Sequence, residues 1–397
     1  MTDISERIKA LAPSATLAMS QKSQELKAQG IDVINLSVGE PDFPTPTHIK
    51  AAAIQAIADN YSFYTPVPGY MTLRKAISNK LREENGVEYA PEQIVVGNGA
   101  KQELCNVILA TINPGDEVII PTPAWVSYVE MVKLAEGKSV LVPATIESNF
   151  KITAAQLEEA ITPRTRMVLL CSPSNPTGSV YSREELKALV DVLVKYPDIL
   201  ILSDEIYEHI NYTGSFTSMA SFDEIKDRVV LINGVSKAYA MTGWRIGFCA
   251  APLAIAKAVT KLQGQYTSGC SSIAQKAAEA AYEGSQECVE QMRQAFERRR
   301  DLIVRLAEMI PGLKVNKPDG AFYLFPEVKS FIGKTDGNVT IHSSGELAMY
   351  LLDKARVATV DGAAFCLDGY IRLSYATSDD NIREAMRRIA AALAELH

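Results

Sequence analysis

Short β-rich runs alternate with helical stretches over residues 94–250 of this 397-residue chain, and no other feature limits its fold as strongly. Helical patterns at 102–111, 184–195 and 252–263 separate several of the runs. Such alternation is typical of a mainly parallel sheet with helices on both faces. Seven runs are predicted to form the sheet: 94–96, 117–120, 140–142, 167–170, 200–202, 229–232 and 246–250.

The C-terminal part of the chain predicts a smaller α+β unit. Its expected elements are helices at 285–309, 344–356 and 379–395 and strands at 313–315, 321–325, 357–360 and 370–374. Three consecutive arginines, 298–300, are expected on the solvated face of the first helix. Because 397 residues exceed what one core usually supports, we expect a large domain over 46–288 and a small domain formed by 1–45 and 289–397.

Composition excludes several classes of function. The chain is 47% hydrophobic and 22% charged, as in ordinary globular proteins, and its net charge of −7 argues against binding to nucleic acid or anionic membranes. Its cysteines form no CxxC pair, which favours reduced thiols over a metal site or a disulfide framework. There is no signal-peptide pattern and no apolar run of membrane-spanning length. We therefore expect a cytoplasmic protein without a bound metal.

A lysine follows the strand predicted at 229–232, in the string Ser236-Lys237-Ala238-Tyr239, and Arg245 comes soon after it. Burial and nearby positive charge lower the pKa of a lysine, and the neutral amine can then condense with an aldehyde. Arg245 would supply that charge and a fork suited to a phosphate. A surface lysine and a structural arginine are an equally good interpretation of this segment by itself.

Other polar groups follow other strands. The turn 97–101 leads into a helix, where backbone N–H groups and the Lys101 ammonium can bind an anion. Asp204 can keep a heteroaromatic nitrogen protonated, although aspartate is also a common helix N-cap. Asn175, bracketed by two prolines, can donate to a phenolate, and Trp125 can stack on a flat ring or fill the core. Since sites in parallel sheets lie beyond the carboxyl ends of the strands, we expect these groups to converge.

These residue types together describe a pyridoxal phosphate site, and the whole chain resembles the fold-type I aminotransferases of class I, particularly the bacterial aspartate aminotransferases of subgroup Ib. The resemblance implies a seven-stranded, mostly parallel sheet with helices on both faces and a smaller α+β domain. The strings that carry it are Gly39-Glu40-Pro41-Asp42, Trp125-Val126-Ser127-Tyr128, Ser174-Asn175-Pro176-Thr177-Gly178, Ser203-Asp204-Glu205-Ile206-Tyr207, Lys237 with Met241-Thr242-Gly243-Trp244-Arg245, and Ile371-Arg372-Leu373-Ser374.

The resemblance also implies pyridoxal 5′-phosphate as cofactor and a set of residues that bind it. Lys237 would bind the cofactor aldehyde and move a proton, and Asp204 would pair with the pyridine nitrogen. Trp125 would stack on the ring, while Tyr207 and Asn175 would bond to its O3′ oxygen. The phosphate ligands implied by the resemblance are Gly99, Ala100, Lys101, Ser236 and Arg245, joined by Tyr64 from the partner subunit of a homodimer.

Substrate binding is implied in the same way. Arg372 would bind the α-carboxylate, and Gly39 would line the pocket with Trp125 and Asn175. Animal-type aspartate aminotransferases bind the distal carboxylate through an arginine of the neighbouring subunit, but the comparable segment 265–272 contains no basic residue. In subgroup Ib a lysine at the position of Lys101 is thought to take this part. A second departure is Gly234, where many relatives have a phosphate-binding serine.

The implied function is a ping-pong transfer of the amino group between aspartate or glutamate and 2-oxoglutarate or oxaloacetate. Aromatic or prephenate transamination stays open, because the shape of the pocket decides it. A pyridoxal-phosphate lyase or synthase on the same fold is a further alternative. A regulator that uses the fold as an effector sensor would need a basic DNA-binding module, which the sequence does not show.

Overall fold

The computed structural model describes residues 3–397; residues 1 and 2, which the domain prediction includes, lie outside this range. The helices are α1 (Glu6–Lys9), α2 (Ala15–Ala28), α3 (Thr47–Ala58), α4 (Met71–Asn85), α5 (Ala100–Thr111), α6 (Ser127–Leu134), α7 (Ala154–Ala160), α8 (Arg183–Leu193), α9 (Leu253–Tyr266), α10 (Ser272–Glu283), α11 (Glu287–Glu308), α12 (Ser344–Tyr350) and α13 (Asp379–Ala394). None of the helices in this range is long and apolar enough to cross a membrane.

The strands of the main sheet lie within one or two residues of the predicted runs. The strands are β1 (Ile34–Asn35), β2 (Ile94–Gly97), β3 (Glu117–Thr122), β4 (Lys138–Pro143), β5 (Thr165–Cys171), β6 (Leu200–Asp204), β7 (Val229–Gly234), β8 (Gly247–Ala250), β9 (Tyr323–Leu324), β10 (Val357–Ala358), β11 (Val360–Asp361) and β12 (Ile371–Ser374). The single strand predicted at 357–360 is thus divided between β10 and β11. All seven runs predicted for the main sheet pair in one sheet, in the order β2-β8-β7-β6-β5-β3-β4. Only β8 runs in the opposite direction to the other six strands, so the predicted α/β fold with a mostly parallel sheet is confirmed.

Both faces of the main sheet are buried. On β7, for example, Val229 and Leu231 pack into one hydrophobic core, whereas Val230 and Ile232 pack into the core on the opposite face. Successive side chains of a strand point to opposite faces, so a strand covered on both sides needs apolar residues at every position. Polar side chains are therefore accommodated at the ends of the strands.

The smaller unit contains a three-stranded antiparallel sheet, β11-β12-β9, and a parallel pair formed by β1 and β10. The strand predicted at 313–315 is wrong, because this segment makes only one isolated bridge, from Lys314 to Glu327. The core of this unit also includes Ile206, Tyr207 and Ile210, which directly follow β6 of the main sheet. The boundaries at 45/46 and 288/289 remain a prediction.

The prediction that the arginines at 298–300 all face solvent is wrong for two of them. Arg298 is exposed, but Arg299 and Arg300 are buried. Consecutive helical residues are rotated by about 100°, so three in a row span about 200° of the helix surface, more than α11, which is packed against the core along its length, leaves to solvent. Arg299 donates to both carboxylate oxygens of Asp42, at 2.7 and 3.0 Å, and Arg300 lies 4.5 Å from the centre of the Tyr212 ring. The pair with Asp42 ties the loop that contains Gly39 to α11.

Candidate active site

A cleft of about 350 Å³ lies between the carboxyl ends of the main strands and the smaller unit. Gly99 lies beside it, directly before Ala100, whereas Tyr64 does not line it and is fully exposed. The structure thus brings together within one subunit nearly all the side chains selected from the sequence. Those that line the cleft are Gly39, Ala100, Lys101, Trp125, Asn175, Asp204, Tyr207, Ser236, Lys237, Arg245 and Arg372.

Lys237 follows β7, and its Nζ donates to the Gly39 carbonyl oxygen at 2.6 Å. Burial, together with the positive charges of Arg372 and Arg245, lowers the pKa of Lys237 to about 8, while the negative charges of Glu40 and Asp204 oppose the shift. The neutral amine is therefore about a tenth to a fifth of the population near physiological pH, far more than for an exposed lysine. This state is required for attack on a carbonyl carbon and for accepting a proton.

Asp204 ends β6 and is 3% exposed. Burial raises the pKa of its carboxyl to about 6, against the effect of the Tyr128 hydroxyl, which donates to Oδ2 at 2.6 Å. The Ile206 backbone N–H donates to Oδ1 at 3.2 Å. At neutral pH the group is mostly a buried carboxylate, and such a group is stabilised by a cationic or proton-donating ligand.

The N-terminus of α5 forms a second part of the cleft. Gly99 is its N-cap, with φ of 86°, and no side chain caps the helix. A Cβ at this position would lie only 2.2 Å from Nη2 of Arg245, so glycine permits the arginine to approach the turn. Partial burial and the Arg245 charge lower the pKa of Lys101. Free N–H groups with two nearby cations are suited to a phosphate.

Arg372 is 1% exposed, and its Nη1 and Nη2 donate to Asn175 Oδ1 at 2.9 Å and to the Ser37 carbonyl at 2.6 Å. The guanidinium lies between the rings of Tyr323 and Phe365, at 4.5 and 4.9 Å from their centres. Its Nε has no partner, and no carboxylate of residues 3–397 forms an ion pair with it. A buried cation is costly without an anion, so this site is suited to the carboxylate of a ligand.

Two tyrosines of the cleft had no predicted role. Tyr128, which bonds to Asp204, lies within one of the strings that carry the family resemblance, and this was the only signal for it. Tyr323 Oη lies 2.7 Å from the hydroxyl of Tyr207. It is part of an apolar strand run, and nothing in the local sequence distinguishes it from a core residue.

Gly234, the departure noted in the sequence, has a steric reason. It pairs with Gly247 on the neighbouring strand, and a Cβ at 234 would lie 2.7 Å from the Gly247 Cα and 2.8 Å from the Ile246 carbonyl oxygen. A serine would not fit at this position without a shift of the backbone.

Residues 31–389 match the sequence model of the family described as aminotransferase class I and II. This chain belongs to that family. The aspartate/prephenate aminotransferase of Nitrosomonas europaea is 50% identical over 394 residues, which cover 98% of this chain and 99% of the relative. Among solved structures, the aspartate aminotransferase of Rhizobium meliloti has a TM-score of 0.96 with 44% identity and covers all of both chains. That of Thermus thermophilus with maleate has a TM-score of 0.93 with 41% identity and covers 99% of this chain and 100% of the other.

These similarities confirm the predicted fold-type I architecture and the class I aminotransferase family, while the subgroup stays a prediction. Aminotransferases of this family use pyridoxal 5′-phosphate. The cleft fits that group, because it offers an uncapped helix N-terminus near two cations, a buried carboxylate at Asp204 and an amine of lowered pKa at Lys237. The chain is a pyridoxal-phosphate-dependent aminotransferase.

The bond from Tyr128 to Asp204 generates a prediction for the protein without cofactor. A hydrogen bond to a charged group is worth about 1.5–3 kcal/mol, or about 1–2 pKa units. Tyr128→Phe should therefore raise the pKa of Asp204 by about 1–2 units, measured by NMR of ¹³C-labelled aspartate carboxyls. Asp204→Asn identifies the NMR signal of the Asp204 carboxyl, because that signal disappears in the variant. Tyr89→Phe, which removes a buried hydroxyl bonded to the Val229 carbonyl, should leave the pKa of Asp204 unchanged. An equal shift in both variants would show that the Tyr128 bond does not control Asp204.

Proposed function

We propose that this aminotransferase transfers the amino group between aspartate or glutamate and 2-oxoglutarate or oxaloacetate. The observation that carries the proposal is the presence of two cationic groups, Arg372 and Lys101, that line one cleft. The two carboxylates of an acidic amino acid would each find a cation there. The relatives named above, which include an aspartate aminotransferase with maleate, a dicarboxylate, support this substrate class.

When bound, pyridoxal 5′-phosphate supplies an aldehyde that accepts the amino group and a ring that stabilises negative charge at the substrate Cα. Lys237 would hold the aldehyde end and move a proton at the substrate Cα, since its lowered pKa increases the share of the neutral, basic amine near neutral pH. The Asp204 carboxylate would hold a proton at the ring nitrogen. Tyr207 and Asn175 would donate to the ring O3′ oxygen, and Trp125 would cover the ring.

The phosphate would lie at the N-terminus of α5, beside Gly99 and held by the backbone N–H groups of Ala100 and Lys101. The Gly99 N–H itself donates to the Gly97 carbonyl oxygen at 2.8 Å. Ser236 and Arg245 would add side-chain donors. Within a single subunit the site lacks one group implied by the resemblance, the hydroxyl of Tyr64.

Arg372 would bind the α-carboxylate as a charge-assisted fork, which orients every amino acid in the same way. Lys101 would bind the distal carboxylate, and its Nζ lies 4.9 Å from the centre of the Trp125 ring. Position 101 would therefore determine which side chains are accepted, whereas Arg372 would be required for all substrates.

Prephenate is a second candidate substrate, because the Nitrosomonas europaea relative is named an aspartate/prephenate aminotransferase. Its two carboxylates would satisfy the same two cations. A half-reaction screen separates the candidates. The amino donors aspartate, glutamate, phenylalanine and alanine are mixed singly with the holoenzyme, and the loss of cofactor absorbance is followed. Prephenate, which is a 2-oxo acid without an amino group, is instead mixed with enzyme that glutamate has already aminated, and the return of that absorbance is followed. A lyase or synthase would release product without retaining the amino group on the enzyme.

We also propose a homodimer with shared active sites. The segment 61–69 and the neighbouring α3 expose several large apolar side chains in a single subunit, and burial of these would stabilise a second copy against this face. The exposed fractions are 67% for Ile54, 61% for Ile57, 81% for Phe63 and 100% for Tyr64.

The first prediction concerns Lys237. Lys237→Ala should still bind pyridoxal phosphate without a covalent bond, but it should lose the cofactor that borohydride traps and nearly all turnover. Lys101→Met, which changes another lysine of the same cleft, should retain the trapped cofactor. Peptide mapping after reduction checks the site of attachment, and trapped cofactor on a peptide without residue 237 would contradict the assignment.

The second prediction concerns Lys101. A charge-assisted bond is worth about 1.5–3 kcal/mol, so Lys101→Met should lower kcat/KM for aspartate roughly 10- to 150-fold. For alanine and phenylalanine, which have no distal carboxylate, kcat/KM should stay the same or rise, because the variant also removes a partly buried charge.

Two further variants complete this test. Arg372→Lys should lower kcat/KM for all amino acids alike. Lys195→Met, which removes an exposed lysine outside the cleft, should lower kcat/KM for none of them. If Lys101→Met lowers kcat/KM equally for acidic and neutral substrates, Lys101 binds the cofactor phosphate or stabilises the fold instead. The assignment of acidic substrates then loses its main support.

The third prediction concerns the partner's contribution. Tyr64→Phe should weaken cofactor binding to the apoenzyme roughly 10- to 150-fold, since one bond to a charged phosphate is lost, and should slow the chemical step less. Tyr61→Phe, in the same segment, is the matched control and should bind the cofactor with the affinity of the wild type. Light scattering should show a dimer, and an active monomer at assay concentration would refute the shared site.

A further inference from the structure

Tyr323 connects two parts of the proposed site that have separate tasks. Its side chain is 1% exposed and lines the cleft, with its hydroxyl 2.7 Å from that of Tyr207 and its ring under the Arg372 guanidinium. Gly39 provides the space, because a Cβ at that position would lie 2.4 Å from Tyr323 Oη. One phenol therefore contacts the proposed carboxylate-binding arginine and the proposed O3′ ligand at the same time.

The direction of the hydrogen bond between the two phenols follows from the number of protons that they carry. A phenol has one proton to donate, so if Tyr207 donates to the cofactor O3′ oxygen, the contact of 2.7 Å between the two hydroxyls must be donated by Tyr323. Burial raises the pKa of the Tyr323 hydroxyl, and the Arg372 charge, whose guanidinium lies 4.5 Å from the ring centre, opposes that rise and strengthens Tyr323 as a donor.

The positive charge on Arg372 affects how strongly the Tyr323 hydroxyl donates. No carboxylate of the described chain pairs with the guanidinium, so its positive charge acts on the Tyr323 ring without a counter-charge until an anionic ligand binds. The other titratable groups that face the two phenols are Lys237, 5.8 Å from the centre of the Tyr207 ring, and Cys171. Only Arg372 would gain a counter-charge when a substrate carboxylate binds.

We propose that Tyr323 is a positioning residue that couples occupancy of Arg372 to the hydroxyl of Tyr207. This inference rests on the proposed function. A hydroxyl that accepts a hydrogen bond becomes a stronger donor, so Tyr323 strengthens the donation by Tyr207 to the cofactor O3′ oxygen. A carboxylate on Arg372 neutralises the guanidinium, makes Tyr323 a poorer donor and weakens that donation. The cofactor oxygen then becomes more basic in response to substrate binding, in parallel with the direct contact between Arg372 and Asn175.

The test is a pH titration of the visible absorbance of the holoenzyme, with and without maleate, which offers carboxylates but no amino group. Tyr323→Phe keeps the ring under Arg372 and removes only the hydroxyl. It should raise the apparent pKa of the free holoenzyme by about 0.5 unit, as expected for one neutral hydrogen bond, and should reduce the shift caused by maleate. Tyr375→Phe removes another buried hydroxyl of the same core, bonded to the Ala321 carbonyl, and should match the wild type.

The Tyr207→Phe variant is a second background, and it separates an effect of Tyr323 through Tyr207 from a general disturbance of the structure. In Tyr207→Phe the path through Tyr323 is interrupted, so adding Tyr323→Phe should cause no further change in either titration. The proposal is overturned if Tyr323→Phe behaves like the wild type, if it shifts the titration equally in the Tyr207→Phe background, or if maleate shifts no titration at all. Failure of the proposed function is distinguishable, because it would appear as aspartate and glutamate that do not remove the cofactor absorbance in the half-reaction screen.

Discussion

The main sheet is covered on both faces, and the location of the active site follows from this constraint. Strands buried on two sides can hold only apolar side chains along their length, as the alternation of β7 residues between two cores shows. Groups that carry charge or hydrogen bonds must therefore lie where strands end. Because the parallel strands end at one edge, Asp204, Asn175 and Lys237 approach each other although they are distant in the chain.

The cleft contains charged groups that the protein itself does not neutralise. Arg372 is buried without a carboxylate partner, Asp204 has a raised pKa and Lys237 a lowered one. Each of these states destabilises the folded chain by itself, and each is relieved by a ligand with the complementary group. In the proposed function, a substrate carboxylate would pair with Arg372, the cofactor nitrogen with Asp204 and the cofactor aldehyde with Lys237, so the groups that are costly to bury would also be the ones that bind ligands.

Contacts between distant segments hold the loop that carries Gly39. Asp42 pairs with Arg299 on α11, while the Thr242 hydroxyl donates to Glu40 at 2.9 Å and the Thr45 hydroxyl to the Ala240 carbonyl at 2.8 Å. The loop is thereby attached to both units, and the Gly39 carbonyl is placed where Lys237 can donate to it. Such a bridge adds order to a segment whose prolines and glycine favour no regular structure.

The sequence by itself determined the seven strands of the main sheet and the residue types at their ends, because apolar runs and turn residues act locally. Its family motifs also identified Lys237, Asp204, Asn175 and Arg372 as a set. Only the tertiary structure decided which of three adjacent arginines pairs with Asp42, and that Tyr128 and Tyr323 bond to site residues. These contacts join residues far apart in the chain, and a buried tyrosine looks the same in sequence whether its hydroxyl bonds to a carboxylate or to the core.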